Sequence, residues 1–141
     1  MRNILINNLQ SHTSDNQLIQ LMVIFSDTCS RQIQVNLKGR IYQEQSTRSG
    51  VYNIVLNQTF PYWIKDENAI WFDKANGYWL IGLQDNLNQS RGGLHTTSAP
   101  MCPHTPGTEW KAYYNSEWTD AFDSVEVTGI IEESSTLIPP K

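Results

Sequence analysis

His95, Cys102 and His104 lie close together in the chain, and thiolate with imidazole is ligand chemistry for zinc. The set lacks a CxxC or HxxxH clip and a fourth ligand, so no metal is expected. Cys102 with His95 or His104 would also make a thiol–imidazole pair, and Ser98, His95 and Asp85 have the composition of a triad. Neither set comes with a nucleophile elbow of the GxSxG type. Glu109, Glu117, Asp120 and Asp123 surround Trp110 and Trp118, and acids beside aromatic rings resemble a sugar-hydrolysing cleft. Solvent-facing acids on hairpin edges, which discourage edge-to-edge pairing, account for them equally well. No catalytic, cofactor or metal residue is assigned, and the chain is read as a non-enzyme.

Two further features bear on binding. Arg91-Gly92-Gly93 would offer a cation and backbone N–H groups to an anion. It lacks the strand–loop–helix setting of a phosphate loop, and a flexible loop is the plainer reading. The tryptophans would serve as a sugar-stacking platform or a groove for a proline-rich peptide, although most tryptophans of a small β domain are core.

These residues need strands to position them. The stretch 69–82, AIWFDKANGYWLIG, has two arms rich in aromatic and β-branched residues, which suit a pleated surface. Asn76-Gly77 between them is the strongest short-range hairpin signal. Ile33, Val35 and Leu37 alternate with Gln32, Gln34 and Asn36, the period of a strand with one dry face, and Gly39 is expected to end it. Residues 43–50 read as a polar turn, 51–56 and 62–64 as strands, and 66–68 as a tight turn. Residues 84–100 read as a long polar loop of a kind that often carries function or covers an edge. Residues 110–114 and Trp118 suggest a second hairpin about a turn at 115–117, and Val125 and Val127 sit in a final strand ended by Gly129. Ser14 and Gln17 match a capping box, so residues 15–25 read as a short helix, with a strand over 21–25 as the competing reading. Trp63, Trp71 and Trp79 are eight residues apart, as are Trp110 and Trp118. In a meander such a spacing is expected to stack them into one core layer.

A length of 141 residues fits one domain with a real core. A net charge of −4 argues against general nucleic-acid binding, and the scattered charges form no polybasic membrane patch. No apolar run approaches the ~20 residues that span a bilayer. The N-terminus has no secretory h-region, and Arg2 is the single strong cation before Asp15, so a mitochondrial leader is weakly supported. An intracellular site is favoured, with an extracellular one left open. Cys29 and Cys102 permit one disulfide, but are read as two reduced, partly buried thiols. Asn57 and Asn88 begin glycosylation sequons that matter only in a secreted chain.

A resemblance then emerges. Gly50-Val-Tyr52, Pro61-Tyr-Trp63, Ile70-Trp71-Phe72-Asp73, Gly77-Tyr-Trp79-Leu-Ile81-Gly82, Gly93-Leu-His95, Cys102-Pro103, Trp110 with Tyr114-Asn115 and Trp118, and Val125-Glu-Val127 follow one another. The pattern resembles a Trp-rich β-module that recurs as an accessory domain in multidomain proteins of protists and marine invertebrates. The match covers about residues 33–129. It implies a small antiparallel β domain used as an accessory or interaction unit, with no catalytic residue to carry over.

The expected fold is therefore all-β: a small antiparallel β-sandwich or a meander or barrel built from hairpins, with at most one short N-terminal helix. Residues 1–31 form an N-terminal arm, 32–129 the Trp-rich domain and 130–141 a tail. The first functional reading is a non-catalytic structural or interaction subunit of a larger assembly, contacting other subunits through its polar arms, which cannot bury enough surface alone to order themselves. The alternative is an extracellular carbohydrate-binding module using exposed aromatics.

Overall fold

The computed structural model describes residues 29–57 and 59–131; the expected helix over 15–25 and most of both arms lie outside them. Among the described residues nine strands form one antiparallel sheet. They are β1 Gln32–Leu37, β2 Gly50–Val55, β3 Tyr62–Lys65, β4 Asn68–Asp73, β5 Tyr78–Leu83, β6 Leu94–Thr96, β7 Trp110–Tyr114, β8 Glu117–Asp120 and β9 Val125–Ile130. Their order is β8-β7-β6-β5-β4-β3-β2-β1-β9. The first eight strands are a meander, each beside its chain neighbour, and β9 returns to flank β1. The all-β expectation holds in its meander form: one curled sheet rather than two packed ones.

The alternation in β1 works as expected. Ile33, Val35 and Leu37 are buried on the face that carries the main core, with Tyr52, Trp63, Ile70, Trp79, Ile81, Leu94 and Trp110. The strand stops at Leu37, just before Gly39, and Gly39 opens a helix, α1, Gly39–Gln45, which takes in the start of the polar stretch 43–50, expected as a turn. Little in these residues signals it: the helix has no side-chain cap, starts on a glycine and buries only Ile41 and Gln45, one turn apart.

The tryptophans do not form one layer. Trp63 pairs with Ile70, and Phe72 with Trp79, so Trp63 and Trp79 share the main core with ring centroids 5.8 Å apart in an edge-on contact. Trp71 faces the opposite side with Ala69 and Leu80, beneath Tyr62, Ile64, Tyr78 and Leu87. The reason is parity. The turns after Lys65 and Asp73 hold two and four residues, and with an even loop, facing residues have an odd sum of numbers. An even spacing across such a hairpin therefore moves a side chain to the other face. The same rule buries Trp110 and exposes Trp118 across the two-residue turn of β7–β8.

The turns themselves differ from expectation. Asn76-Gly77 ends a four-residue loop tied by Asp73, whose Oδ1 accepts from the N–H groups of Ala75 and Asn76 and whose carbonyl accepts from Gly77 N at 2.7 Å. The tight turn with two successive positive-φ residues, the type I′ pattern, falls instead at Asn115 (54°) and Ser116 (69°). Gly129 lies inside β9 rather than ending it.

Cys29 and Cys102 are joined in a disulfide across a separation of 73 residues, which corrects the reading of two reduced thiols. The cysteines lie far apart in the chain, so only the fold reveals that the start of β1 and the proline-rich segment after β6 meet. Among the described residues no helix is long and apolar enough to cross a membrane.

Candidate functional site

Two sets of neighbouring residues stand out: an aromatic stripe on the outer face and a polar groove beside it. The stripe follows from the hairpin register. Tyr113 and Trp118 are cross-strand partners in β7–β8, with centroids 5.4 Å apart and planes at 71°. Trp118 also reaches over to His95 of β6, 4.4 Å away at 64°, and His95 lies flat on Tyr78 of β5 at 4.2 Å and 15°. His95 Nδ1 lies 2.7 Å from the Thr96 carbonyl, which only accepts, so the proton sits on Nδ1. Tyr113 is 45% and Trp118 40% exposed. Four rings thus cross one face near the sheet's edge, with the last two open to solvent.

The groove, of about 490 Å³, opens where the end of α1 meets the segment entering β6. Its floor is built by Gln45, a buried side chain whose Nε2 donates to the carbonyls of Gly93 (3.0 Å) and Tyr113 (3.1 Å). Gln45 Oε1 accepts from Arg48 Nη1 at 2.7 Å, and Asn68 Oδ1 accepts from Arg48 Nε at 3.2 Å. The Arg48 guanidinium is therefore held by neutral amide oxygens, and no carboxylate pairs with it among the described residues. Burial lowers its pKa, with the neighbouring Tyr52 acting in the opposite direction, yet an arginine so placed stays charged. Arg91 and Glu44 are exposed on the walls, and Tyr113 and Trp118 close one side.

Gly92-Gly93, expected to be a flexible loop, is packed. Gly93 N donates to the Ile81 carbonyl at 2.9 Å, and Gly93 O accepts from Tyr113 N at 2.8 Å. A Cβ on Gly93 would collide with Arg48 Nη1 and Gln45 Oε1. Gly93→Ala is therefore expected to push Gln45 and Arg48 out of place and cost about 1–3 kcal/mol, as overpacking does. Chemical denaturation checks it; a change under ~0.5 kcal/mol would show that the pair moves freely. Residues 84–100, read as one loop, contain the short strand β6, whose Leu94 and Thr96 are fully buried.

The residues singled out for chemistry are not assembled. Cys102 is bonded to Cys29, and both sulfurs lie with His104 in a cluster whose ligand atoms are within 4.8 Å of one another. Sulfurs joined to each other are not thiolate ligands or nucleophiles. His104 Nε2 accepts from Ser30 N at 3.0 Å, and burial lowers its pKa. His95 is elsewhere, in the aromatic stripe. No hydrogen bond links Ser98, His95 and Asp85 among the described residues. Glu109, Glu117, Asp120 and Asp123 are exposed, and Asp120 pairs with Lys111 across the β7–β8 surface at 3.8 Å. The reading as solvated acids on hairpin edges fits this arrangement. Arg48 and Glu44 were not singled out from the sequence: Glu44 lies in α1, which had no clear signal, and Arg48 in the single 3₁₀ turn that follows it, Ser46–Arg48.

Compared with family models, with curated proteins and with solved structures, the chain matches none.

Proposed function

We propose that this chain is a non-catalytic recognition module and that it takes a carbohydrate on the exposed face of Trp118. The observation that carries the reading is the setting of this ring. It is held edge-on by His95 and Tyr113, left open to solvent, and set beside a groove rich in hydrogen-bonding groups. A sugar ring presents apolar C–H faces that lie on an aromatic plane and hydroxyls that need fixed polar partners, and this surface offers both. The disulfide supports the same reading, because such bonds persist in oxidising compartments, where extracellular glycan-binding domains work. The likeness to an accessory β-module is consistent with it.

Trp118→Ala is expected to weaken glycan retention by some thirtyfold, about 2 kcal/mol, the loss typical of a truncated anchor ring. Its folding stability should change by less than about 1 kcal/mol, as for a surface position. A glycan array probed with the native chain and the variant checks both parts, with a thermal melt alongside. No retention of any glycan by the native chain would overturn the reading.

A second reading, a structural or interaction subunit of a larger protein assembly, is favoured by a different observation. Among the described residues strand β8 stands at an edge of the sheet, and Trp, Tyr and Arg are the residue types that anchor protein interfaces. Mild purification from the native source tests it: stable co-migration with a large complex supports this reading over the first. The polar arms that would make further subunit contacts lie largely outside the described residues.

A further inference from the structure

We infer that the groove beside Trp118 is a subsite for the carboxylate of an acidic sugar, a hexuronate, gripped by Arg48 and Arg91 while the sugar ring lies on Trp118. The inference rests on the carbohydrate reading and adds the class of sugar. Its first support is charge. Among the described residues the groove carries two arginines against one glutamate, a net positive charge, in a chain whose net charge is −4.

The second support is the state of Arg48. A guanidinium has five N–H donors, and Arg48 spends two of them, on Gln45 and Asn68. Both acceptors are neutral, so a partly buried cation is left without a counter-charge among the described residues. No buried side-chain nitrogen or oxygen lacks a partner there, so Nη2, which bonds to neither amide, is not sealed inside the protein. Its two N–H donors belong to a residue that lines the groove. The two amide oxygens also fix the fork in place, so little side-chain freedom is lost when an anion docks. A planar carboxylate matches that fork with two parallel hydrogen bonds.

The third support selects the sugar. Glu44 on the wall opposes a dianion such as phosphate, yet it accepts hydrogen bonds from sugar hydroxyls. Asn86 and Ser90 extend the polar lining, and Trp118 gives the ring its apolar seat. An acidic peptide would use the guanidinium groups but leave no role for a flat aromatic platform of this kind.

The test is calorimetry at physiological salt with trigalacturonate and with its fully methyl-esterified form, which keeps the sugar rings and removes the charge. The acid is expected to bind about tenfold or more tightly than the ester, the gain of charge-assisted hydrogen bonds. Arg91→Gln, at an exposed position, is expected to shrink the preference for acid over ester, with a melt confirming folding. Arg48→Lys keeps the charge but loses the fork, and is expected to shrink it further, with a melt confirming folding. Trp118→Ala should weaken both ligands alike. Equal binding of acid and ester overturns the hexuronate inference and leaves the carbohydrate reading standing. Failure of both ligands, while the array retains a neutral glycan, does the same. Tighter binding of a hexaglutamate peptide than of trigalacturonate overturns it in favour of a protein partner. Binding untouched by Trp118→Ala overturns the platform itself.

Discussion

Trp79→Ala is expected to remove about 3–5 kcal/mol from the folding free energy. A domain of this kind has about 5–15 kcal/mol in all, so the variant should stand near unfolding at room temperature. Three losses coincide at this position. The ring is 1% exposed and sits edge-on to both Trp63 and Phe72, 5.8 and 5.3 Å away. Its removal opens a cavity that a sheet braced on both sides cannot collapse to fill. Its Nε1 donates to the Pro100 carbonyl at 2.9 Å, so truncation also strands a partly buried acceptor and loosens the proline-rich segment. Trp79→Phe separates the effects, keeping most of the packing and losing the hydrogen bond. Trp71→Ala belongs to the same class on the opposite face, where Nε1 holds the Gln89 carbonyl at 3.0 Å. Denaturation midpoints with unchanged slopes measure these losses. A loss under about 1 kcal/mol for Trp79→Ala would place the ring at the surface and contradict the described core.

The second large effect is expected from the disulfide. Reduction, or replacement of Cys29 and Cys102 by serine, should cost about 2–5 kcal/mol. The bond spans 73 residues, and closing a loop of that length removes about 4 kcal/mol of chain entropy from the unfolded state in the loop-entropy account. It also ties the residue three positions before β1 to the segment that Trp79 holds from below, so its loss and the loss of Trp79 should not simply add. Thiol titration comes first: the native, non-reduced protein should show no reactive thiol, and two after reduction and unfolding. Two thiols in the folded protein under oxidising conditions would remove both the bond and its support for an oxidising compartment.

Much of the sheet is legible in the sequence. The period of two in β1, the aromatic arms of β4 and β5 and the second hairpin around Asn115 all lie where alternation and turn chemistry put them. What spacing alone does not supply is the face. Trp63, Trp71 and Trp79 keep a constant interval, but which side each one takes depends on whether the intervening loop is even or odd, and loop length is settled by details such as the Asp73 side chain capping its own turn. The helix α1 is hidden because two buried residues among polar ones carry too little periodicity. The groove is hidden for a different reason. Its residues come from α1 and the turn after it, from the end of β5 and the segment leading to β6, and from the β7–β8 hairpin, and nothing in the chain marks Gln45 as the side chain that joins them. Arg91-Gly92-Gly93 is visible as a candidate for an anion, yet Arg48, which lines the same groove, enters only through the fold.

The exposed ring can be watched directly. Four tryptophans, Trp63, Trp71, Trp79 and Trp110, are buried, and Trp118 alone is open, so the five indole N–H signals of the labelled protein form an internal comparison. Titration with trigalacturonate and, in parallel, with its methyl ester is expected to move the Trp118 indole signal while the other four stay in place. Saturating additions of both that leave the Trp118 signal unmoved would contradict recognition of these sugars at this face.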